Sequence, residues 1–214
     1  MDEDIVIINE KTRNEKIKNF FVLNKKLLIS SLLFIVLIIL GYFSLQIYND
    51  KKREAISNKF NSSIINYKDA DKNKVVSNLK EVIYEKDSTY SPLALYFLID
   101  NDLIEKNSEI NSLFDVLIEK TSLDKEIKNL VIYKKALFNA DEAQENDLLN
   151  ILNPLINSES VWKSHALYLM AEYFYSKDQK QKSKEFFNRI ISLENVNQDL
   201  KLKAQKILNR DLSE

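Results

Sequence analysis

Between Leu27 and Tyr48 the chain carries no charge for 22 residues, and Leu32-Leu33-Phe34-Ile35-Val36-Leu37-Ile38-Ile39-Leu40 runs through the middle without a polar side chain. At ~1.5 Å rise per residue, such a helix is roughly 33 Å long, enough for a hydrocarbon core of ~30 Å. Lys25-Lys26 and Lys51-Lys52-Arg53 bracket it as charged anchors. Tyr42, Phe43 and Tyr48 fall in its outer half and near its end, where aromatic rings favour the membrane interface. A cleaved signal peptide would have an apolar core of ~7–15 residues followed by small residues. Here the exit is Tyr42-Phe43-Ser44-Leu45-Gln46-Ile47-Tyr48, with no such pair. A helix of a soluble core would need a polar face, and this run has Ser30, Ser31, Ser44 and Gln46 only, all towards its ends. The expectation is an uncleaved transmembrane signal anchor at 27–48, preceded by an N-terminal segment, 1–26, and followed by a single domain, 49–214.

Six basic residues precede the span (Lys11, Arg13, Lys16, Lys18, Lys25, Lys26), against four just after it (Lys51, Lys52, Arg53, Lys59). The positive-inside rule then places the N-terminus in the cytoplasm and residues 50–214 across the membrane. Ile17, Phe20, Phe21 and Asn24 lie at helical spacing with lysines around them. This reads either as an amphipathic turn resting on the membrane surface or as a simple lead-in to the span.

Composition narrows the rest. One glycine cannot supply the φ > 0 turns of an all-β fold, so the chain is expected to be all-α. Neither glycine-rich phosphate loop can be written with Gly41 alone. With 0 Cys and 1 His there is no thiol nucleophile, zinc ribbon or multi-histidine metal centre. Lys+Arg 31 against Asp+Glu 32 leaves no basic footprint for nucleic acid. No catalytic, cofactor-binding or metal-binding residue is expected, and the positive signal has to come from architecture.

That signal is a repeat. Ala94-Leu95-Tyr96, Val131-Ile132-Tyr133 and Ala166-Leu167-Tyr168 put three tyrosines 37 and then 35 residues apart. A second apolar cluster follows each: Leu113-Phe114, Leu148-Leu149-Ile151-Leu152, Phe186-Phe187-Ile190-Ile191. Two amphipathic helices per period of ~34 residues describe a helical-hairpin solenoid. Punctuation predicts a helix running out of the membrane to about residue 68, then helices at 72–86, 92–106, 109–121, 125–140, 146–157, 161–177, 179–193 and 198–210. Ser91-Pro92 reads as an N-cap and first helical residue. Asp124, Ser160 and Asn197 read as later caps, Glu194-Asn195 as a turn, and Pro154 as a helix end or kink.

One period resembles the tetratricopeptide pattern. Ala171 holds the small position of the first helix, Phe174-Tyr175 the aromatic pair that ends it, Ser183 the small position of the second, and Phe187 the large residue packing back. Ala136 keeps the small position in the preceding period, but Ile99 replaces it in the first. Asn139-Ala140 stand where an aromatic pair would be, Ile190 replaces an alanine and Asn195 a proline. The expected fold is therefore a divergent tetratricopeptide-like solenoid behind one transmembrane helix.

Three stretches carry a wider resemblance: Tyr48-Asn49-Asp50-Lys51-Lys52-Arg53-Glu54-Ala55, Ser88-Thr89-Tyr90-Ser91-Pro92-Leu93-Ala94, and Ser160-Val161-Trp162-Lys163-Ser164-His165-Ala166 with Asp178-Gln179-Lys180-Gln181-Lys182-Ser183. With the order leader, span, basic exit and helical domain, the chain resembles the YfgM-like family, ancillary subunits of the bacterial SecYEG translocon. The resemblance implies an inner-membrane protein facing the periplasm, with translocon subunits and a periplasmic chaperone as partners.

In a stack of this kind the first helix of each pair lines the concave face. Tyr96, Asp100, Tyr133, His165, Tyr168, Glu172 and Tyr175 are then the candidate partner-binding residues. Tyrosine suits a peptide groove, having an apolar body and a polar tip. The same stripe is also what a packed core would show. His165 has no nucleophile or second acid near it in sequence and is given no catalytic role. The expected function is a non-enzymatic, membrane-anchored interaction module beside the translocon. The alternative is a structural scaffold of another envelope or cell-division complex.

Overall fold

The computed structural model describes residues 15–65, 67–68, 70–194 and 196–212. Among these, all regular structure is helical. The elements are α1 (residues 15–23), α2 (Lys25–Ile64), α3 (Lys72–Tyr84), α4 (Tyr90–Asp100), α5 (Asn107–Asp115, continued by a π-helical turn Val116–Lys120), α6 (Lys125–Asn139), α7 (Glu145–Ile156), α8 (Lys163–Ser176), α9 (Lys180–Ile191) and α10 (Gln198–Asp211). They form two compact units, residues 1–55 and 56–214. Lys11 and Arg13 of the expected charge bias, and Asn195 of an expected turn, lie outside the described residues.

In the first unit, α2 contains a stretch long and apolar enough to cross a membrane, and none of that stretch is buried by the rest of the chain. A core helix of a soluble domain would be covered, so the bare stretch is what a membrane span or a signal sequence would show. Gly41 sits inside this helix with nothing within 4 Å of where a Cβ would stand. The chain thus uses its one glycine at no turn. Its left-handed corners are held instead by Lys86, Asp102 and Asp178, at φ 57°, 48° and 56°. At the last two the chain closes on itself: Leu103 N–H donates to the Leu98 carbonyl (3.0 Å), and Gln179 N–H to that of Phe174 (2.9 Å). These bonds satisfy the orphan carbonyls of a helix end.

In the second unit each helix from α3 to α10 packs on the next, and α8 also touches α6 and α10. Two apolar cores result. One runs from Ile56 and Phe60, at the end of α2, through α3, α4 and α5 to Val131 of α6. The other begins with Ile132 and Ala136 of α6 and continues through α7, α8 and α9 to Leu208 and Leu212. Where α8 crosses α9, Ala171 and Ser183 are both fully buried, and the Ser183 hydroxyl donates to the Ala171 carbonyl at 2.8 Å. Small side chains there let the two backbones approach, and Phe174 and Phe187 fill the space beside them.

Helix starts show where punctuation was misread. Ser91 is not a cap. It is fully buried, and its hydroxyl donates to the Val82 carbonyl of α3 at 2.8 Å. Asp87 caps α4 instead, accepting from Thr89 and Tyr90 N–H, both at 2.8 Å. Asp71 caps α3 through Asn73 N–H (2.9 Å), and Asn197 caps α10 as expected, accepting from Asp199 and Leu200 N–H. Asp124 precedes α6 but makes no side-chain cap bond. Ser160 lies three residues before α8, where it accepts from Trp162 N–H (3.1 Å) and donates to Glu126 (2.7 Å). Pro154 lies inside α7, which ends two residues later at Ile156. The helix leaving the apolar stretch stops at Ile64, short of Lys68.

Candidate partner-binding face

The seven candidate residues lie on α4, α6 and α8. Tyr96 and Asp100, one turn apart on α4, share a recess of about 150 Å³ with Ile99, Phe114, Lys134, Leu137 and Phe138. The ring of Tyr96 lies under Lys134 Nζ, 4.7 Å from its centroid. Its hydroxyl is buried without a hydrogen-bond partner. Burial pushes that phenol up to about 12, because an ionised oxygen there would lose its water.

Further along, Leu137 also borders a second recess of about 320 Å³, with Ala140, Asp141, Leu169, Glu172, Tyr173, Ser176 and Lys177. Leu137 is 51% exposed, which marks it as surface between two depressions rather than core. Tyr173 donates its hydroxyl to the Ala143 carbonyl at 3.1 Å, and Lys177 Nζ stands 5.6 Å from its ring. Tyr168 packs edge-on to Phe187 at 5.6 Å. Burial, then the neighbouring Glu172 carboxylate, pushes Tyr168 up to about 12.

Tyr133 and His165 form a different grouping. Tyr133 stacks on Trp162 at 5.7 Å and 23°, and His165 sits against both rings, at 5.8 Å from Tyr133 and 5.2 Å from Trp162. Burial lowers the His165 pKa, opposed by the nearby Val161 carbonyl, and its Nδ1 is buried without a partner. The ring is packed against two aromatic neighbours, and burial disfavours its charged form. Tyr175 belongs to neither recess. It lies near Asp211 of α10, whose carboxyl is held below its usual range first by Arg210.

Of the seven expected residues, Tyr96, Asp100 and Glu172 line the two recesses and Tyr133, His165, Tyr168 and Tyr175 do not, while Lys134, Leu137, Asp141, Tyr173 and Lys177 line them as well. Those residues were legible in principle: 134, 137 and 141 recur at helical spacing beside Tyr133, and 173 and 177 beside Glu172. Chemically the face offers aromatic rings with lysines laid over two of them, one exposed leucine, and carboxylates at Asp100, Asp141 and Glu172. Among the described residues no group of three His, Cys, Asp or Glu side chains is gathered as a metal site.

Tyr96→Phe removes a buried hydroxyl with no partner, so it is expected to raise stability, by about 1 kcal/mol at neutral pH. The unfolded phenol ionises near 10.0, whereas the folded one resists to about 12. The wild type therefore loses stability as pH climbs through that window, and the variant escapes this share of the loss. Thermal melts of the two proteins between pH 7 and 11 check both statements.

Compared with protein-family models, curated proteins and solved structures, the chain matches none.

Proposed function

We propose that the chain is a non-enzymatic interaction module, held to a membrane by α2, that binds protein partners along α4, α6 and α8. The observation that carries this reading is the pair of recesses on either side of exposed Leu137, on three helices that each follow the same sequence period. Contacts at that period support a divergent tetratricopeptide-like stack. Ser160 donates to Glu126, 34 residues away, and Asn107 to Glu142, 35 away. Lys182 pairs with Glu145, 37 away, at 2.8 Å. Side chains one repeat apart meet in this way when repeats are stacked on their neighbours.

In this reading α2 is an uncleaved anchor with its N-terminus in the cytoplasm and the helical domain on the periplasmic side of a bacterial inner membrane. The resemblance to the YfgM-like family names the setting: an ancillary subunit of the Sec translocon that links it to periplasmic folding factors. The test is a pull-down of the full-length protein from membranes solubilised in mild detergent. A version lacking residues 1–48 and a Leu137→Glu variant serve as comparisons. Translocon subunits and a folding factor should co-purify, the former weakened by the truncation. Because Leu137 is exposed, Leu137→Glu should leave the fold within ~0.5 kcal/mol of wild type yet deplete the partner bound at the recesses. Recovery of a different stable envelope complex would replace the translocon assignment with a scaffold role. Equal recovery by wild type and Leu137→Glu would remove this face from the interaction.

A further inference from the structure

Helices α1 and α2 are separated by a single turn residue, Asn24. Its side-chain amide and its backbone N–H both donate to the Phe20 carbonyl, at 2.9 and 3.0 Å. Residues on both sides of Asn24 line one open recess of about 720 Å³. Phe21 and Val22 come from α1, and Leu28, Ile29 and Leu32 from α2. Among the described residues the two remaining lining side chains are Lys18 and Lys25, and none of the lining residues is a carboxylate. Lys18 and Lys25 are seven positions apart, two helical turns, so they fall on one face. The recess sits where the apolar stretch of α2 begins, the depth of lipid headgroups if α2 spans the bilayer.

Two chemistries meet there: a pair of ammonium groups and a hydrocarbon wall. A soluble anion would use the lysines and leave the wall bare. A zwitterionic lipid carries its own cation beside the phosphate and gains little from two more. A phospholipid with net negative charge uses both. We infer that this recess binds one anionic phospholipid of the leaflet nearest the N-terminus, its phosphate between Lys18 and Lys25 and an acyl chain along the apolar wall. The inference rests on the reading of α2 as a membrane span.

The test is native mass spectrometry of the full-length protein in detergent, titrated separately with phosphatidylglycerol, phosphatidylcholine and glycerol 3-phosphate. Phosphatidylglycerol should be retained about tenfold or more over phosphatidylcholine, since each lysine near an anionic headgroup contributes measurably. Glycerol 3-phosphate alone should not be retained. Lys18→Gln with Lys25→Gln should abolish the preference, whereas Lys16→Gln with Lys26→Gln, an equal loss of charge outside the recess, should keep most of it. Equal loss in the two pairs, or equal retention of the two lipids, overturns the site. Retention of glycerol 3-phosphate overturns the lipid assignment in favour of a soluble anion. Alkaline carbonate extraction of membranes separates the two layers of the argument. Protein released to the supernatant overturns the span and the lipid site together, while protein kept in the pellet without a lipid preference overturns the lipid site alone.

Discussion

Phe187→Ala is expected to cost about 3–5 kcal/mol of folding free energy. The ring is fully buried on α9, where α8 and α9 pack, with Tyr168 edge-on at 5.6 Å. Truncation removes the transfer free energy of the ring and leaves a void that the surrounding helices can only partly close. A domain of this size has a total stability of only ~5–15 kcal/mol, so a loss of that order populates the unfolded state measurably. Phe186→Ala is the control. Its ring is half-buried, lying against Phe174 at 5.4 Å and under Arg189, and should cost distinctly less. Chemical denaturation of the detergent-solubilised proteins, followed by Trp162 fluorescence, measures both. Equal midpoints for the two variants would contradict the packing described here.

The second large effect concerns α2. Arginine at the centre of a spanning helix costs ~2.5–3.5 kcal/mol per residue on insertion scales, so Ile35→Arg with Ile38→Arg together oppose integration by roughly 5–7 kcal/mol. Both side chains are exposed, so helix content should not change. The double variant should leave the membrane fraction on alkaline extraction, with Ile35→Val and Ile38→Val retained. Full retention of the arginine variant would mean that this stretch is not what holds the chain to the membrane.

Much of the helical layout was legible because it rests on periodicity. Helices expected at 125–140, 146–157 and 198–210 occur as Lys125–Asn139, Glu145–Ile156 and Gln198–Asp211. Precision was lost where one residue type has two uses. Proline tolerates any position of the first turn, since none of those N–H groups has a partner within the helix. Pro92 therefore located the start of α4 only to within a turn, and Ser91 beside it looked like a cap while serving as a buried bond to α3. The candidate face shows the same ambiguity. Tyr96 and Tyr133 occupy equivalent places in the period, yet one borders a recess and the other is stacked on Trp162. Nothing local distinguishes them, because the difference is made by Lys134 on one side and by the residues preceding α8 on the other. Leu137 was missed because an apolar residue at helical spacing reads as core, and only the packed structure leaves it at the surface.

Adjacent residues of α6 serve different cores: Val131 closes the one on the N-terminal side, and Ile132 and Ala136 open the one beyond it. For a chain drawn out from its C-terminal end, this wall divides a mechanical load. Helices beyond α6 can peel away while those before it keep their own core, so extension should come in two steps separated by the rupture of α6. Stretching would then spare the helices next to α2 until last.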